Sequence, residues 1–137
     1  MESRMCILAV DDNIINLATI EQELKSKYEV ITVNSGARAV RFLSREQPDL
    51  VLLDIQMAVM DGLETLRKIR NLKNGASIPV IMLTSKKDKD TVIEGSKLGI
   101  MDYVIKPFDS QDLHNRIERA LTRAGKYHAL EGKKQEP

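Results

Sequence analysis

Apolar positions along the chain follow two alternating rhythms. Short runs that are apolar at almost every position recur five times. Between them, apolar residues return every three or four positions. The first rhythm suits a strand covered on both faces, and the second marks a helix packed on one side. Cys6-Ile7-Leu8-Ala9-Val10 opens the series and stops at Asp11-Asp12-Asn13. The helix after it places Leu17, Ile20 and Leu24 on one face and Glu21, Glu23 and Lys25 on the other. Glu29-Val30-Ile31-Thr32-Val33 is a second, weaker strand. Asn34-Ser35-Gly36 then supplies a turn and cap for a helix that carries Ala39, Val40 and Leu43 inward and ends before Pro48.

The third strand is the plainest, because the run from Leu50 to Leu53 is closed abruptly by the carboxylate of Asp54. Met60-Asp61-Gly62 opens a helix with Leu63, Leu66 and Ile69 at helical spacing, and Asn74-Gly75 breaks it. Ile78-Pro79-Val80-Ile81-Met82-Leu83 is the fourth strand, with its proline near the start, where a missing donor is tolerated. The next helix, from about Asp88 to Leu98, is poorly apolar and contains Gly95 and Ser96. It is the least well specified element and a candidate for mobility. Met101-Asp102-Tyr103-Val104-Ile105 is the last strand, followed by Lys106-Pro107-Phe108. Asp109 caps a closing helix with Leu113, Ile117, Ala120 and Leu121 on its inner face.

Five alternating strand–helix units predict an α/β domain with a parallel sheet and helices on both faces. Right-handed crossovers leave few topologies, and the flavodoxin-like strand order 2-1-3-4-5 is the one expected. Residues 4–124 form the domain, and the polar residues 125–137 are a tail or the start of a linker.

In that strand order ligands bind at the carboxyl ends of the first and third strands. Asp11, Asp12 and Asp54 then surround one crevice, with Thr84 and Lys106 beside it. Any one of these at a strand end is commonplace; five at the same edge of one sheet are not. Three carboxylates against one ammonium leave two negative charges, which one divalent cation balances. All-oxygen ligation suits magnesium, which keeps open positions for a phosphoryl group. Asp54 is then placed as a nucleophile toward phosphorus, forming an acyl phosphate. The metal and Lys106 would cover the transferring oxygens, and the Thr84 hydroxyl would add a hydrogen bond.

Composition narrows the partners. In 137 residues, 21 Lys and Arg nearly cancel 20 Asp and Glu, for a net charge of +1. That argues against a direct nucleic-acid or membrane surface. No apolar run approaches a membrane span, the start does not read as a signal peptide, and Cys6 is the single cysteine, so the cytoplasm is the expected location. Cys6 reads as a small core residue rather than a nucleophile. His114 and His128 lack partners at metal-ligand spacing and are expected to face solvent. Lys86-Lys87 and Lys133-Lys134 read as solvated charges. Met57, Met60, Met82 and Met101 read as core or loop filler.

The motifs that carry this chemistry resemble the response-regulator receiver domains of two-component signalling, over residues 4 to 124. The resemblance rests on Asp11-Asp12, on Asp54-Ile55-Gln56-Met57-Ala58-Val59-Met60-Asp61-Gly62, on Thr84-Ser85, and on the stretch from Gly99 through Lys106-Pro107-Phe108. It implies that Asp54 is the phosphoacceptor, receiving a phosphoryl group from a phosphohistidine on a histidine kinase or a histidine phosphotransfer protein. It implies that Asp12 ligates magnesium directly, Asp11 partly through water, and Gln56 through its backbone carbonyl. Lys106 would hold a phosphoryl oxygen and precede a cis bond to Pro107. Thr84 and Tyr103 would be the switch pair, the first turning to the phosphoryl group and the second moving into the space it leaves. Gln56 and Lys86 occupy positions that influence acyl-phosphate lifetime in the family. The face of the fourth helix, fifth strand and fifth helix would meet a downstream protein, with a homodimer on phosphorylation as a further option. Such a chain is a signalling phosphoacceptor rather than an enzyme.

One residue departs from the pattern. Many family members carry proline where this chain has Ala58, and alanine is expected to loosen that loop without removing a group the reaction needs. Other readings stand beside the receiver. A flavodoxin-like FMN binder would want a hydroxyl- and glycine-rich phosphate loop where this chain has Asp11-Asp12. An aspartyl-phosphate hydrolase of the haloacid dehalogenase type would need a second Asp at the position of Gln56. A receiver belonging to a longer hybrid kinase or output-domain regulator is the main alternative to a stand-alone one.

Overall fold

The structure, a computed structural model, describes residues 4–85 and 89–126. Lys86-Lys87, His128, Lys133-Lys134 and nearly all of the predicted tail lie outside those residues. Five strands, β1 (Cys6–Val10), β2 (Glu29–Val33), β3 (Leu50–Asp54), β4 (Val80–Thr84) and β5 (Asp102–Ile105), form one parallel sheet in the order β2-β1-β3-β4-β5. The helices α1 (Ile14–Leu24), α2 (Gly36–Leu43), α3 (Gly62–Arg70), α4 (Lys89–Lys97) and α5 (Ser110–Arg123) alternate with them.

The strands read as unbroken apolar runs because each face of the sheet has its own core. Ile7, Ala9, Leu50, Leu52, Ile81, Leu83 and Val104 pack with Leu17, Ile20 and Leu24 of α1 and with Leu113, Ile117 and Leu121 of α5. The residues between them, Leu8, Val10, Val51, Leu53, Val80 and Met82, pack on the other side with α2 and α3. Side chains alternate across a strand, so this parity continues past the apolar runs to the residues at the sheet's edge. Asp11, Asp54 and Lys106 therefore belong to the α1/α5 side, and Thr84 and Ile105 to the α4 side.

Polar residues start the helices where the sequence places them. Asn13 Oδ1 accepts from the backbone of Ile15 and Asn16, Ser35 from Arg38, Asp61 from Glu64, and Asp109 from Asp112. Strands β4 and β5 begin one or two residues later than the apolar pattern suggests, and β4 extends to Thr84, whose carbonyl accepts from Lys106 N at 2.8 Å. Within α4 only Gly95 is buried, so the weak apolar face read from the sequence corresponds to a lightly packed helix. Its C-terminal end is nonetheless tied down. The Arg70 guanidinium donates to the carbonyls of Leu98 and Gly99 and to those of Gly75 and Ile78, at 2.7 to 3.1 Å.

His114 does not face solvent as its isolation in the sequence suggested. It is half-buried between α1 and α5, its Nε2 is 3.0 Å from the Glu23 carbonyl, and its ring stacks on Tyr28 at 6.4 Å between centroids. Cys6 is half-buried at the start of β1, and burial, with Glu29, Asp49 and Glu46 adding to it, pushes its thiol up to about 11. A thiol so held is protonated at neutral pH and is no nucleophile.

The start of α3 lies directly under the loop that follows β3. A Cβ on Gly62 would sit 2.3 Å from the Asp54 carbonyl oxygen and 2.7 Å from Ile55 Cα, both backbone atoms unable to yield. Gly62→Ala is expected to destabilise the fold by roughly 1–3 kcal/mol. Thermal unfolding that shifts by less than a degree would show that this approach relaxes freely.

Candidate functional site

The carboxyl ends of β1, β3 and β5 bring the predicted acidic and basic residues together. One oxygen each from Asp11, Asp12 and Asp54 lies within 4.8 Å of the other two. Asp11 and Asp54 are buried, at 0% and 3% exposure, whereas Asp12 is exposed. Lys106 Nζ sits between the buried pair, 2.6 Å from Asp54 Oδ1 and 3.5 Å from Asp11 Oδ2. It follows β5 directly and precedes a cis bond to Pro107.

Two buried carboxylates and one ammonium do not balance. Burial pushes the Asp54 carboxyl above the ordinary carboxylate range; its hydrogen bond to Lys106 opposes the shift, and Asp11 and Asp12 add to it. Asp11 is instead fixed by hydrogen bonds. Its Oδ1 accepts from Asn13 N at 2.9 Å and its Oδ2 from Asn16 Nδ2 at 3.2 Å. Asn16 is an orienting residue that the sequence pattern did not single out, although it lies one turn into α1 from the acidic pair.

Asp12 is held from the opposite side of the crevice. Its Oδ2 accepts from Ala58 N at 2.7 Å, across 46 residues of chain. Alanine at this position thus supplies a donor that proline lacks, rather than only slack. The next residues form a tight turn in which Met60 N donates to Ala58 O at 2.7 Å. Val59 at its centre has φ of 67° and is fully exposed. A β-branched residue in that left-handed region stores on the order of 1–3 kcal/mol of strain.

Thr84 and Tyr103 also come together, on the other side of the sheet. They line one open groove of about 660 Å³ with Val92, Ile93 and Ile105. Thr84 is buried and its Oγ1 donates to Ser85 O at 3.0 Å, whereas Tyr103 is 43% exposed. On the α1/α5 side a separate cavity of about 410 Å³ is lined by Asp11, Asn16, Glu23, Lys106, Phe108 and Ser110. Gln56 is exposed in the loop after β3, and Lys86 lies outside the described residues.

Comparison with known proteins agrees with this geometry. The family described as the response regulator receiver domain matches residues 7–118. The transcriptional regulatory protein ZraR of Escherichia coli K12 is 39% identical over 116 residues, covering 84% of this chain and 26% of that protein. The alkaline phosphatase synthesis transcriptional regulatory protein PhoP of Bacillus subtilis is 35% identical over 120 residues, covering 86% of this chain and 49% of that protein. The chain thus spans a quarter to a half of the length of these relatives.

Among solved structures, the receiver domain of the sensor histidine kinase PA1611 from Pseudomonas aeruginosa is similar at a TM-score of 0.80 and 34% identity, over 88% of this chain and 99% of that one. It was solved with a magnesium ion coordinated in its active site cleft. A CheY-like receiver from Methanospirillum hungatei is similar at a TM-score of 0.84 and 28% identity, over 90% of this chain and 98% of that one. No helix of the described residues is long and apolar enough to cross a membrane. Fold, edge chemistry and relatives agree, and the chain belongs to the response regulator receiver domains of two-component signalling.

Proposed function

We propose that Asp54 is the phosphoacceptor of this receiver and takes a phosphoryl group from a phosphohistidine on a histidine kinase or histidine phosphotransfer protein. The observation that carries this is the crowding of Asp11, Asp12 and Asp54 within 4.8 Å, with Lys106 Nζ 2.6 Å from the Asp54 carboxylate. The donor set fits a magnesium ion: three carboxylates and one ammonium leave two negative charges, and every ligand atom is oxygen. Asp11, Asp12, Asp54 and the Gln56 carbonyl would hold it. Bound there, the ion supplies positive charge against the oxygens of the transferring group.

The chain's own residues account for the rest. A carboxylate oxygen of Asp54 forms the new bond to phosphorus, and the phosphorus–nitrogen bond breaks with its electron pair returning to the imidazole. Lys106, already on Asp54, covers a phosphoryl oxygen as the Asp54 charge passes to the new group. Asp11 keeps its orientation through Asn13 and Asn16. The Thr84 hydroxyl then turns toward the phosphoryl oxygens, and Tyr103 moves from its exposed position into the groove it shares with Thr84. Helix α4, lightly packed, is the element whose two arrangements this bond selects between. The face of α4, β5 and α5 meets the downstream protein, and Gln56 and Lys86 set the lifetime of the acyl phosphate. This reading makes the protein a cytoplasmic signalling phosphoacceptor that turns over only its own phosphoryl group. It concerns residues 4–124 and is the same for a stand-alone receiver and for one within a longer chain.

Acetyl phosphate with magnesium is expected to add one phosphoryl group to the intact mass. Asp54→Asn and a chelator should each abolish the gain, and Lys106→Met should slow it by about a hundredfold. A mass gain that survives Asp54→Asn would place the acceptor elsewhere.

The crowding also has a signature in stability. Asp54 binds its proton more tightly in the fold than in the unfolded chain, so its contribution is favourable at low pH and is lost as pH rises through the carboxylate range. Without magnesium, Asp54→Asn is therefore expected to be more stable than the native protein at pH 7, with the difference vanishing toward about pH 4. Magnesium at a hundred times its Kd should stabilise the native protein by about 2.7 kcal/mol and the variant by less. Urea unfolding in which Asp54→Asn is the weaker protein at pH 7 would mean that the Lys106 pair outweighs burial.

A further inference from the structure

The β3–α3 loop contains a feature that phosphoryl transfer to Asp54 does not itself require. Val59 is held at φ 67°, a costly conformation for a β-branched side chain, and that side chain projects fully into solvent. Immediately before it the Ala58 N–H lies 2.7 Å from Asp12 Oδ2, and the turn itself closes with Met60 N donating to Ala58 O. Of the three carboxylates, Asp12 is the exposed one, outside the reach of the Lys106 ammonium that pairs with Asp54 and Asp11. An exposed aspartate is free to turn about its side-chain bonds unless a donor fixes it.

We infer that the Ala58 backbone amide is the positioning group for Asp12, presenting this carboxylate to the divalent cation. The inference rests on the proposed reading of Asp12 as a metal ligand. A carboxylate oxygen has more than one lone pair, so Oδ2 keeps its amide donor while the group ligates. Donors that orient ligating carboxylates in this way typically contribute about tenfold or more to metal affinity. The β3–α3 loop and the cation site thereby act as one unit, since a change that displaces Ala58 releases Asp12.

The test compares magnesium affinity by calorimetry with amide hydrogen exchange by NMR, on the whole chain. Ala58→Pro removes the N–H and is expected to weaken magnesium binding about tenfold. Ala58→Ser restores the N–H and should restore the affinity, and Val59→Gly, which adopts φ 67° without strain, should retain it and raise the unfolding temperature. In metal-free protein the Ala58 amide should exchange about tenfold more slowly than in Asp12→Ala, and magnesium should slow it further. An unprotected amide, protection lost on adding magnesium, or a proline variant that binds as tightly as the native protein would each overturn the inference. Native protein that binds no magnesium at all would overturn the proposed function, and this inference with it.

Discussion

Lys106 Nζ faces Asp54 at 2.6 Å and Asp11 at 3.5 Å, in a setting where both carboxylates have lost nearly all contact with water. One ammonium cannot satisfy two buried anions, and the third carboxylate alongside makes the imbalance worse. Much of the surrounding structure can be understood as holding that imbalance in place. Asn13 and Asn16 fix Asp11, the Ala58 amide fixes Asp12, and the carbonyl of Thr84 fixes the backbone of Lys106. A site arranged in this way is unfavourable when empty and receptive to cations and to groups rich in oxygen. The instability is local, and the two apolar cores beneath it supply the stability that tolerates it.

The sheet decides what each edge residue can do through nothing more than parity. Asp11, Asp54 and Lys106 fall on the α1/α5 side. Thr84, Tyr103 and Ile105 line the groove on the α4 side. The two sets are nevertheless adjacent, because Thr84 O accepts from Lys106 N. The proposed acceptor and switch residues thus lie on opposite faces, and the backbone bond from Lys106 to Thr84 joins the two sides.

The strands are legible in the sequence because burial on both faces leaves no polar position inside them, so the first polar residue marks the edge. For that reason Asp54 stands out in the bare chain. The helix caps at Ser35, Asp61 and Asp109 are legible because capping uses a local side chain and a local amide. What escapes the sequence is long-range or conformational. The bond from Ala58 to Asp12 is made by a main-chain group, which no choice of residue advertises, across 46 positions. Alanine consequently reads as slack where it supplies a tether. Nothing in the residue Val59 announces a positive φ, since valine disfavours it. His114 looks isolated because its partners, Tyr28 and the Glu23 carbonyl, belong to α1 and the turn after it and meet it only once α5 has packed.

Arg70 gives the fold a mechanical fixing. Its guanidinium grips the carbonyls of Leu98 and Gly99, just past the C-terminal end of α4, and anchors them to the start of β4 through Ile78. The other end of α4 lies toward Thr84 and has no comparable clasp among the described residues. A rod fastened at one end swings and does not slide. Any displacement of α4 is therefore largest at the end toward Thr84 and falls to its smallest at Arg70.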